Sequence, residues 1–86
     1  MKLNKLLERL KELTDADQSE QLKQYKQIKK TLKQLRSKQK ELEKEITGEE
    51  DANRCKELEE KLKIVSTQRR KGLDLLKGLR DLPGES

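Results

Sequence analysis

From Tyr25 to Leu79 the apolar residues return every three or four positions, and most of what lies between them is Lys, Glu, Arg or Gln. Tyr25, Leu32, Gln39 and Ile46 fall on one position of a seven-residue repeat; Ile28, Leu35 and Leu42 fall on the other. The same alternation resumes with Cys55, Leu62, Arg69 and Leu76, and with Leu58, Val65, Gly72 and Leu79. Steps of three and four place all of these on one stripe of a helix. The pattern predicts long helical segments with one apolar seam each. What remains is whether they run on as one rod or fold back.

The stretch Thr47-Gly48-Glu49-Glu50 favours folding back. T-x-x-E is a capping-box pattern that would open a new helix at Gly48. Glu49, Glu50 and Asp51 suit the positive end of a helix dipole. Gly48 tolerates the backbone angles of a reversal. A straight helix through this glycine would cost only about 1 kcal/mol relative to alanine. Two capped segments of similar length are better explained by a hairpin. With Ile46 near Ala52, the expected pairs are Leu42 with Cys55, Leu35 with Leu62, and Leu32 with Val65. Gln39 would then face Leu58, Arg69 would face Ile28, and the ring of Tyr25 would fill the space left by Gly72.

A third segment precedes the hairpin. Leu3, Leu6, Leu7, Leu10 and Leu13 follow i, i+3, i+4, i+7 spacing and predict a short amphipathic helix. Asp17 with Glu20 fits a second capping box, opening the next helix near Gln18. The expected fold is all-α: an antiparallel, coiled-coil-like helical hairpin with a short N-terminal helix packed on its open end. The expected segments are helices over 2–13, 18–47 and 48–82 and a tail over 83–86. Leu73, Leu75, Leu76, Leu79 and Leu82 spread beyond the seam and make the open end the most apolar part.

Only 29% of the 86 residues are apolar and 45% are charged, with no Phe or Trp. A large globular core is therefore excluded, and this balance borders on that of disordered chains. The abundance of strong helix formers and the regular spacing argue for order. A hairpin buries only one stripe per helix, so more apolar cover is expected. Leu3, Leu6, Leu7, Leu10, Leu73, Leu75 and Leu79 are the expected contact surface for a protein partner or a second copy of the chain.

The net charge of +5 is unevenly spread. Lys23, Lys26, Lys29, Lys30, Lys33, Arg36, Lys38 and Lys40 occur without an acid between them, as do Lys61, Lys63, Arg69, Arg70 and Lys71. Folding back lays these runs side by side as a basic belt. Lys38 and Lys40 are expected to reach Glu57, Glu59 or Glu60, and Lys23 to reach Asp74. Lys26, Lys29, Lys30, Lys33, Arg36, Arg69, Arg70 and Lys71 have no obvious partner and are the candidate contacts for an acidic protein or for nucleic acid. Nucleic acid is the less favoured, because no aromatic stacking platform accompanies the bases. A membrane surface is disfavoured by the missing Trp and Phe.

Histidine is absent, which removes the commonest general base and metal ligand. One cysteine without histidine makes no usual zinc site. Gly48, Gly72, Gly78 and Gly84 are too scattered for a phosphate-binding loop. No catalytic residue, metal, cofactor or small-molecule substrate is expected. Cys55 lies on the seam and is expected to be packed rather than reactive. Neither a secretory leader nor a membrane span is legible, so the expected location is cytoplasmic, and the expected role is that of a structural or interaction module.

Overall fold

The structure is a computed structural model and describes residues 2–81. Four helices account for almost all of them: α1 (Leu3–Asp15), α2 (Gln18–Lys23), α3 (Tyr25–Gly48) and α4 (Ala52–Arg80). The packing of α3 against α4 is the main tertiary contact, and α1 packs on both. The molecule is an all-α hairpin with a short N-terminal helix, drawn out to 54 × 20 × 16 Å.

The chain does reverse near residue 48, by a different device from the expected one. Thr47 remains in α3, where its Oγ1 donates to the Glu43 carbonyl at 3.0 Å instead of capping a new helix. Gly48 is the last residue of α3 and uses no left-handed backbone. The cap is Asp51, whose Oδ1 accepts from the backbone N–H of Asn53 at 2.9 Å and of Arg54 at 3.4 Å. Glu49 steadies the turn by accepting the Asp51 backbone N–H at 3.0 Å. The second long helix therefore starts at Ala52, not at residue 48. Its expected end at Leu82 and the tail over 83–86 lie outside the described residues.

The expected helix over 18–47 is divided. Asp17 caps α2 by accepting the Glu20 N–H at 2.8 Å, one half of the predicted box. The Glu20 side chain turns instead to Gln24, accepting from its Nε2 at 2.8 Å. At Gln24 the backbone opens to φ −101°, ψ 18°, and its N–H is shared between the carbonyls of Glu20 and Gln21. Gln21 is buried and its Nε2 donates to the Thr14 carbonyl at 3.0 Å, tying the end of α1 to α2. The offset thus accommodates the return of the chain from α1.

Leu6, Leu10, Leu13, Ile28, Leu32, Leu35, Leu42, Leu58, Val65, Leu76 and Leu79 form one core. Leu6 and Leu10 are each only 1% exposed, so α1 adds about 1.5–3 kcal/mol per fully buried leucine. α1 does not merely cap the open end. Hollows along its flanks are shared by Leu6 with Ser37 and Glu41, by Leu3 with Lys61 and Ile64, and by Leu13 with Gln24 and Gln27. It runs along the α3–α4 groove from the middle of the hairpin to the open end, antiparallel to α3.

The register of the hairpin also departs from the expected one. A Cβ at Gly72 would stand 2.6 Å from Leu32 Cδ2 and 3.3 Å from Leu10 Cδ1, so Leu32 and Leu10, not Tyr25, occupy that space. Arg69 reaches Gln39, its Nη1 standing 3.5 Å from Gln39 Oε1, instead of Ile28. Gly72 meeting Leu32 where Tyr25 was expected is a slip of one heptad, about 10 Å along α4, and the long Arg69 side chain reaches about one turn further to Gln39. A seven-residue repeat is nearly degenerate to such a slip, so the seam leucines tolerate either register. The expected register sets Gln39 and Arg69 against apolar partners, and the observed one brings their side chains within reach of each other.

Candidate functional site

The eight candidate bases do not form one belt. α1 lies over one side of the α3–α4 pair and separates them. Lys30 lines a hollow on that side with Arg9 and Glu12, and Lys71 lines another with Lys11, Asp15 and Gln68. Lys29, Lys33, Arg36 and Arg69 come together on the other side, in a shallow groove whose apolar lining is Leu32, Leu73 and Leu76. Lys26 and Arg70 are exposed. Lys26 stands one turn before Lys29, and Arg70 one turn before Leu73, so helical spacing places both along the edges of this groove.

Three ion pairs occur among the described residues: Lys38–Glu41, Arg54–Glu57 and Arg80–Asp81, all on the surface. None of the eight candidate bases takes part. The expected bridges from Lys38 and Lys40 to Glu57, Glu59 or Glu60 are not formed, since Lys38 turns to Glu41 on its own helix. Nor does Lys23 pair with Asp74. Among the described residues the groove's four cations therefore stand together without a carboxylate partner.

Arg69 is the groove's most constrained member. Its seam position leaves it half-buried, and its Nη1 contact with Gln39 is at the long limit for a hydrogen bond. Its Nε is cut off from water and has no hydrogen-bond partner. A buried donor left unsatisfied costs about 1–3 kcal/mol. Arg69 thus neither snorkels free nor completes a network.

The expected leucine surface is mostly internal. Leu6, Leu10 and Leu79 are buried in the core, and Leu3, Leu7 and Leu75 pack partly against it. Of that set Leu73 stays exposed, at 43%. Leu32 and Leu76, which with Leu73 make the groove floor, were read as seam and open-end residues alone. Their second role follows from the heptad slip and had no signal in the spacing. Leu73 did carry a signal: it lies off the seam, next to Gly72, on the flank facing away from α1.

Cys55 is half-buried near the turn. Partial burial, the hydrogen bond its Sγ donates to Glu59 Oε1 at 3.6 Å, and the charges of Glu59 and Glu49 all push its thiol above the ordinary value. Among the described residues no three His, Cys, Asp or Glu side chains gather as a metal-binding group, and no helix is long and apolar enough to cross a membrane. Comparison of the chain with protein-family models, with curated proteins and with solved structures finds no match.

Proposed function

We propose that this protein is a non-enzymatic interaction module: a small basic helical hairpin, braced by α1, that joins a larger assembly by holding an anionic partner against the α3–α4 groove. The observation that carries this reading is the grouping of Lys29, Lys33, Arg36 and Arg69 around Leu32, Leu73 and Leu76 without a paired carboxylate among the described residues. Like charges on neighbouring helical turns destabilise a helix by a few tenths of a kcal/mol per pair. An anionic partner relieves that repulsion. Self-association is the weaker form of the reading, because most of the leucines that would carry it are internal.

Sequence-independent binding to a phosphate backbone is the second reading, and the exposed bases along the groove support it. Such binding falls steeply with salt through counterion release. The test is binding of polyglutamate and of duplex DNA at low salt to the intact chain and to a Lys33→Glu/Arg36→Glu variant. The reading expects at least one of the two anions to bind and the variant to lose it. Binding that survives the reversal, or no binding by either anion, would remove the groove from consideration.

A further inference from the structure

We infer that the occupant of this groove is a short, acidic, amphipathic helix of a partner protein, lying opposite α1 as the fourth helix of a bundle. The inference rests on the interaction reading above and names the chemistry of the partner. α1 fills one of the two grooves between α3 and α4, and its own apolar stripe is consumed there. The other groove runs between the same two helices, and among the described residues no third element lines it. Its floor exposes Leu73, at 43%, above the buried Leu32 and Leu76, and is of use to an apolar helix face. A phosphate backbone has no use for it.

The cations set the sign. Lys29, Lys33 and Arg36 line the α3 edge and Arg69 comes from α4, all without carboxylate partners among the described residues. A second copy of the chain docking by this face would press the same charges against themselves, which excludes a symmetric dimer here. A helix with leucine-like residues at i, i+3 or i+4 and i+7, flanked on both sides by Glu or Asp, satisfies floor and edges together. Lys29 to Arg36 covers two turns, about 10 Å, so an occupant lays at least about two turns along the groove. Arg69 supplies the α4 cation of the groove, and its planar guanidinium suits an incoming carboxylate.

The probe is a fluorescent peptide of about 18 residues carrying that Leu/Glu pattern. It is compared with a peptide of the same composition in scrambled order and with a short DNA duplex. Each is titrated against the full chain at about 50 mM and about 300 mM salt, spanning weak to strong screening. The ordered peptide is expected to bind at the lower salt and gain helicity, and the scrambled one to bind about tenfold more weakly. Leu73→Glu and Arg36→Glu are each expected to cost about tenfold, while Lys5→Glu, on the exposed side of α1, costs less than about twofold. Arg69→Lys keeps the charge but not the planar fork, and is expected to weaken the peptide about fivefold. Circular dichroism of each variant checks that the hairpin is intact.

Equal binding of the two peptides, or indifference of the ordered one to Leu73→Glu, would overturn the helix. So would DNA binding more tightly than the ordered peptide, but that result would leave the broader interaction reading standing. Failure of all three probes at the lower salt would remove both.

Discussion

Gly72 and Gly78 lie six residues apart in the same helix, yet only one of them is there for space. Among the described residues nothing lies within 4 Å of where a Gly78 side chain would begin, whereas a Cβ at Gly72 would press on Leu32 and Leu10. Gly78→Ala is therefore expected to stabilise the protein by about 0.5–1 kcal/mol, the ordinary gain of alanine over glycine inside a helix. Gly72→Ala has the same gain available and loses more to overpacking, about 1–3 kcal/mol, because Leu32 is itself held in the core. Urea denaturation of the two variants is expected to move the midpoint in opposite directions. That Gly72 makes room for a neighbour was legible in the sequence; which neighbour was not. The spacing supplies one apolar candidate per turn of α3, and the structure places Leu32, with Leu10 of α1, against Gly72. Thr31 shows the opposite failure. It is fully buried although its type gave no hint, because its Oγ1 is satisfied by the Gln27 carbonyl at 2.9 Å within its own helix.

At the scale of elements, the existence of the hairpin and of α1 followed from periodicity, while their ends followed from chemistry that periodicity does not report. Thr47 and Asp51 both offered a cap within one short stretch. Asp51 takes the role because Thr47 still lies within the α3 ladder and donates its hydroxyl there. Asp51→Ala should then cost about 1 kcal/mol, the usual loss of a helix N-cap. Thr47→Ala should be neutral or slightly favourable, since alanine is the better helix former. Thermal unfolding of the pair discriminates: a loss for Thr47→Ala with none for Asp51→Ala would restore the turn expected from the sequence. The break at Gln24 has no Gly or Pro to announce it. It depends on the bond from Gln21 to the Thr14 carbonyl, which joins residues from two helices and is invisible to a local pattern. Gln21→Ala is expected to cost about 1 kcal/mol by leaving that carbonyl without its partner, and to raise amide exchange in the 14–24 segment before the rest of the chain.

Over the whole molecule, charge and fold pull in different directions. The chain carries +5, its described ion pairs are three surface contacts, and four cations share one groove. Surface pairs of this kind add little, about 0–1 kcal/mol each. The groove repulsion is therefore not offset from within. The candidate groove was half legible: the excess of bases was plain in the sequence, but its division by α1 depends on which face of the hairpin α1 covers. Net repulsion predicts that added salt stabilises the protein, because screening shortens its reach to about 8–10 Å near physiological ionic strength. The decisive form of this prediction uses Lys33→Glu. Lys33 stands four residues from Lys29 and three from Lys30 and Arg36, so reversing its sign converts repulsive neighbours into attractive ones. The variant is expected to be more stable than the parent at low salt by about 0.5–1 kcal/mol, and to lose that advantage at high salt. A residue kept for structure alone would not be improved by inverting its charge. Stability that rises as anion binding falls would mark these cations as kept for contact with a partner, and a Lys33→Glu variant less stable than the parent at low salt would show instead that the chain itself depends on them.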